Sequence, residues 1–191
     1  MALDRIIFFS DAVFATAITL LALELRVPEM PSAQVATEMP RQLAEMTSKF
    51  IEFVLSFAVI GIYWLAHHHD FQYIKRWDRR LILINLLLLM LVAFLPFPTA
   101  LLGTYPARQI TLSFYAGTVA ALGMVRWPMW QYAARSHRLV DKNLDEKFIA
   151  QVARRALISP AIFALSIGIA FFNPMLAMLS WWLVAAVVMV N

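Results

Sequence analysis

The chain of 191 residues is 62% hydrophobic and only 15% charged, with a mean hydropathy of +0.71; a soluble domain of this size has too little interior for that much apolar surface, so lipid must solvate much of it. The net charge of +4 does not mark a nucleic-acid partner, because the basic residues fall between apolar runs, as loop residues of membrane proteins do. With no cysteine in the chain, disulfides and cysteine-ligated metals are excluded.

In chain order, six apolar segments cover about residues 6–25, 50–66, 81–98, 110–130, 156–172 and 174–190, each near the ~20 residues that cross a bilayer as a helix. They predict an all-α, polytopic integral membrane protein, with residues 1–191 forming one six-helix domain. The first segment is long and lacks a small-residue cleavage site behind a short core, so it reads as a permanent helix rather than a cleaved signal. The loop at 28–48 follows, and its stretch 33–45 predicts a short surface helix limited by Pro31 and Pro40. The loop at 131–155 is polar and predicts a helix in its second half. Asn173-Pro174 divides the last apolar stretch into a helical hairpin. Trp64, Trp77, Trp127 and Trp130 stand near segment ends, where interfacial anchors sit, whereas Trp181 and Trp182 fall in mid-segment. No internal repeat is visible.

The loops set the orientation. One side holds Arg5, Lys75, Arg76, Arg79, Arg80, Arg126, Arg135, Arg138, Lys142, Lys147, Arg154 and Arg155, and the other only Arg26, Arg41, Lys49 and Arg108, 12 against 4. The positive-inside rule places the first side and both termini in the cytoplasm, with the protein in the plasma (inner) membrane.

The first segment carries the most chemistry, with Ser10, Asp11, Thr16, Thr19 and Glu24 inside one hydrophobic span. With Thr16 as zero and roughly 100° per residue, Leu20 lies at about 40°, Leu23 at about 340°, Thr19 at about 300°, Ala12 at about 320° and Phe9 at about 20°. These positions form one stripe. Asp11, at about 220°, faces away and is expected to hold the helix against its neighbours. An intramembrane carboxylate needs a partner. The expected partners are Ser10, a histidine of the run His67-His68-His69, and Asn85 in the third segment.

Arg5-x-x-x-Phe9-Ser10-Asp11 at the start of the first helix resembles the Arg-x-x-x-Phe-Ser-Asp signature of the transmembrane protein 175 potassium channel family. Tyr63-Trp64 with His67-His68 behind it, Asn85, and the run from Phe94 to Thr99 agree, so the resemblance covers the whole chain. It implies a bacterial single-unit member that assembles as a homotetramer. Its first helices line a central pore for monovalent cations, with weak preference for potassium and no re-entrant filter loop. The positions matching the family's constriction are Thr16, Leu20 and Leu23, with Thr19 as the nearby hydroxyl and Glu24 at the outer mouth. The innermost position usually holds Ile or Leu in the family, and Thr16 departs from that.

Each residue also has a plainer reading. Leucines in such a span serve packing or lipid contact, and threonines bond their own helix carbonyls. Consecutive histidines point about 100° apart and do not converge on a metal. A proton leak through the same pore, or a proton-coupled transporter using Asp11 and His67 as a relay, are the alternatives to the cation channel. No nucleophile–base pair, metal motif or phosphate loop supports an enzyme or a cofactor beyond the permeant potassium ion. Lipid and further copies of the chain are the expected partners.

Overall fold

The computed structural model describes residues 3–190, with side chains as far as residue 184. Among the described residues nine α-helices follow in order: α1 Leu3–Ala22, α2 Val35–Glu45, α3 Thr47–Tyr73, α4 Arg79–Phe94, α5 Pro96–Thr104, α6 Gln109–Ala134, α7 Glu146–Ala156, α8 Ile158–Ala170 and α9 Pro174–Val190. By length and composition, four continuous stretches are apolar enough to cross a membrane: Leu3–Ala22, Thr47–Tyr73, Arg79–Thr104 and Glu146–Ala170. Of the six expected spans, the remaining two fall on α6 and α9, of 26 and 17 residues, which are not among those four.

Several boundaries differ from expectation. The first helix stops at Ala22, and residues 23–25 turn through short i to i−3 bonds such as Leu23 N–H to Leu20 O at 3.1 Å. The third apolar stretch is divided at Leu95 into α4 and α5, because Pro96 and Pro98 supply no N–H to continue the ladder. Pro40 sits inside α2 rather than ending it. None of the residues of that helix is buried, so water can satisfy the carbonyl that proline leaves open.

The core is built around α6, which packs against α4 and α8, while α1 lies on α3 and α4, and α8 pairs with α9. Gly123 of α6 makes the α8 contact possible: a Cβ there would stand 2.7 Å from the Pro160 ring. Two tryptophans are core residues. Trp130, expected as an interfacial anchor, is fully buried and donates to the Ile149 carbonyl at 3.1 Å. Trp181 packs at a tilt against Tyr115 and Phe163 and donates to Ser166 Oγ at 2.8 Å. A buried indole N–H needs such an acceptor. Asn173 caps α9 by accepting from Leu176 N–H at 3.1 Å, which fixes the hairpin turn.

The arginine-rich end is tied together by backbone. Lys75 and Arg76 N–H both donate to Leu139 O, at 2.8 and 3.0 Å, and Asp141 N–H donates to Tyr73 O at 3.2 Å. Asp78 is the centre of this latch: it caps α4 by accepting from Leu81 N–H at 2.9 Å, accepts the Tyr132 hydroxyl, and pairs with Arg138 at 3.4 Å. Partial desolvation would raise its carboxyl, but the Tyr132 and Leu81 donors and the Arg138 charge outweigh that and hold it below the ordinary aspartate value. A depressed folded value means that the stabilisation is complete above the ordinary pKa of about 3.9 and is lost as pH falls through the lower folded one. Amide protection at Lys75 and Arg76 should therefore drop in that acidic window, and Asp78→Asn should abolish the step.

Candidate pore-lining helix and its anchors

The α1 helix has two distinct faces. Ile6, Ser10, Phe14, Ala17 and Leu21 are buried against the bundle. The other side has no cover within the subunit: Phe9 is 53% exposed, Leu20 40% and Leu23 68%, with Ala12, Thr16 and Thr19 exposed between them. Thr16 and Leu20 border a shallow groove of about 220 Å³ that Ala93 of α4 closes on one side. The Thr19 hydroxyl donates to Thr16 O at 2.9 Å, which is how a hydroxyl satisfies itself on an apolar helix face. Arg5 and Glu24 are exposed, and Glu24 lies beyond the helix end.

The buried face is fixed by a chain of hydrogen bonds across three helices. His67 Nε2 of α3 lies 2.9 Å from Asn85 Oδ1 of α4, Asn85 Nδ2 donates to Ser10 Oγ of α1 at 3.0 Å, and Ser10 donates to Ile6 O at 2.8 Å. Since Asn85 Oδ1 only accepts, His67 carries its proton on Nε2. All three side chains are buried, and Phe14 and Phe71 flank the imidazole at 5.5 and 4.4 Å.

Asp11 does not join this chain, contrary to expectation. Half-buried at about 220° on the helix wheel, it turns to the neighbouring face of α3 and accepts the Trp64 indole N–H at 2.8 Å. His68 is exposed and stacks on Trp64 at 5.7 Å, and His69 packs on Tyr73 and Phe148. The three histidines thus point in three directions. Asp11→Asn keeps an acceptor for Trp64 and should lower stability by only ~1 kcal/mol, whereas Asp11→Leu orphans the indole and should cost about 1–3 kcal/mol in detergent thermal unfolding.

Two features escaped the sequence reading. Arg126, counted as a loop charge, is only 9% exposed and makes a bidentate pair with the wholly buried Asp70, with Nε to Oδ2 at 2.9 Å and Nη2 to Oδ1 at 2.8 Å. The available signal was an arginine inside one apolar segment and an aspartate four residues past the end of another. At the other end, Glu52 is 1% exposed, and neither carboxylate oxygen has a hydrogen-bond partner among the described residues. It borders a cavity of about 30 Å³ with Glu24, Lys49 and Thr99, room for about one water.

A family model described as endosomal/lysosomal potassium channel TMEM175 matches residues 5–96, a range that holds Arg5, the Ser10–Asn85–His67 chain and Asp11 with Trp64. A protein of Chamaesiphon minutus named as a potassium channel is 35% identical over 88% of this chain and 84% of its own length. The chain belongs to the TMEM175 potassium channel family. The crystal structure of a lysosomal potassium-selective channel TMEM175 homologue from the same organism superposes with a TM-score of 0.85 at 31% identity, covering 98% of this chain and 96% of that one. The human TMEM175, named an endosomal/lysosomal proton channel, is 27% identical over 90% of this chain, which spans 35% of the human protein. In this TMEM175 member the motif residues Ser10 and Asp11 thus serve two neighbouring anchors of α1 rather than one.

Proposed function

We propose that this TMEM175 protein is a potassium-conducting leak channel of the plasma membrane. Four copies assemble around a central pore, each contributing one domain, residues 1–191, whose six spans leave both termini in the cytoplasm. The observation that carries the reading is the α1 stripe of Thr16, Thr19 and Leu20, continued by Leu23 in the turn after the helix, exposed on a subunit whose opposite α1 face is tied down by buried hydrogen bonds. Rings of Leu20 and Leu23 from symmetry-related helices form a hydrophobic constriction that controls wetting. Threonine hydroxyls replace part of an ion's water shell, and Glu24 raises the local concentration of cations at the outer mouth. Ser10, Asp11, His67 and Asn85, with His68 stacked behind Trp64, hold the helix in place rather than touching ions, while Arg5 and Phe9 of the same motif stay exposed.

The test is reconstitution and current recording under opposed potassium, sodium and proton gradients. Reversal near the potassium potential supports the proposal. Reversal at the proton potential supports the second reading, proton conduction, which the name of the human relative favours. Thr16→Ile should lower conductance by about tenfold, equivalent to ~1.4 kcal/mol on the permeation barrier, with assembly intact. An unchanged current would remove Thr16 from the pore.

A further inference from the structure

The arginine-rich half of the bundle carries a groove that the pore does not use. It measures about 410 Å³ and runs between α3, α7 and α8, with Val184 of α9 at its edge. Its apolar wall includes Ile62, Leu65, Phe148, Val152 and Ile158. Leu65 lies well inside the membrane-spanning helix α3 and is 53% exposed. Arg155 and Gln151 line the groove and also a second cavity of about 540 Å³, which Lys147 and Arg154 border. The two are one continuous surface, apolar at one end and basic at the other.

The sequence sets the basic end just ahead of an apolar helix. The α7 helix buries Ile149, Val152, Ala153 and Ala156 and turns Lys147, Arg154 and Arg155 outward. Three residues after Arg155 the chain enters the apolar helix α8. Among the described residues, no carboxylate lies within salt-bridge distance of Lys147, Arg154 or Arg155. Glu146 on the same helix is turned to His137 at 3.6 Å, and Arg126, deeper in the groove, is committed to Asp70. Three uncompensated cations at the membrane surface, above an apolar slot open to lipid, match the chemistry of one ligand class: an anionic amphiphile.

We propose that this groove holds an anionic phospholipid, its phosphate taken by Arg155 with Arg154 and Lys147 beside it, and an acyl chain against Ile62, Leu65 and Ile158. The site requires the chain to lie in a bilayer with α7 at the cytoplasmic surface, but not that α1 conducts. Bidentate guanidinium contacts suit phosphate oxygens, and the adjoining volume is of the size that ligand sites use.

The test is native mass spectrometry and thermal unfolding of the purified full-length protein, titrated with phosphatidylglycerol or phosphatidylcholine of the same acyl chains. Wild type should bind and be stabilised by phosphatidylglycerol selectively. R154Q/R155Q should bind it about 30-fold more weakly, at about 1 kcal/mol per basic residue near the surface. R79Q/R80Q, which removes two exposed basic residues of the same end outside the groove, should bind as wild type. Equal loss in both pairs, or equal binding of both lipids, overturns the site in favour of general surface charge. Loss of the oligomer in R154Q/R155Q with lipid binding kept overturns it in favour of a contact between copies. Leu65→Trp, which fills the slot without touching charge, should remove one bound phosphatidylglycerol per subunit; an unchanged stoichiometry sinks the proposal even if the arginine variants fail to fold.

Discussion

Arg126→Met alone should destabilise the protein by about 3–5 kcal/mol, because it leaves the Asp70 carboxylate buried without its cation. Asp70 is 0% exposed, and both of its oxygens are bonded to the one guanidinium. The pair joins α3 to α6, so its loss should also loosen that contact. Asp70→Asn should be milder than Arg126→Met, since an amide oxygen still accepts. The double variant Asp70→Asn with Arg126→Met should recover part of the loss, as apolar replacement of a whole buried pair does. Thermal unfolding in detergent, read by intrinsic fluorescence, gives all three values. A double variant no better than Arg126→Met would mean that the pair is not energetically coupled.

Gly123→Val should have an effect of similar size by another route. Even a Cβ lies 2.7–2.9 Å from three atoms of the Pro160 ring, and proline has no rotamer by which to retreat. Gly123→Ala forces a shift of α8 and should cost about 1–3 kcal/mol, the usual range for overpacking. Gly123→Val adds two methyl groups to the same contact and should prevent α8 from docking, so the protein is recovered aggregated or not at all. Gly168→Ala on α8 is the control: nothing lies within 4 Å of a Cβ there, and the variant should behave as wild type.

The all-helical fold with several membrane-length apolar stretches was legible because bilayer thickness fixes the length of an apolar run. The Ser10, His67 and Asn85 anchor was legible for a related reason: polar groups inside apolar spans seek one another. Three things were hidden. Trp130 and Trp181 read as interfacial or unplaced residues because, in lipid, the side of a helix facing the core is as apolar as the side facing outward, so pattern alone does not separate them. Arg126 was absorbed by the loop count because a charge near the edge of an apolar segment looks the same whether it reaches water or a buried aspartate. The direction of Asp11 was legible but not its partner, since the angle of a helix wheel shows which neighbour is faced and not which donor on it is within reach.

The three-helix clamp has a mechanical consequence for α1. The bonds among Ser10, Asn85 and His67, with that of Asp11 to Trp64, sit in the first half of the helix, and directional bonds on two sides forbid the rod from spinning about its long axis. Its far half, from Phe14 to Leu21, meets the bundle through apolar contacts such as Ala17 and Leu21, which resist separation but let surfaces slide. The low-cost motion left to the rod is a pivot, narrow at the clamp and wide at Leu23, like tent poles lashed together at one end.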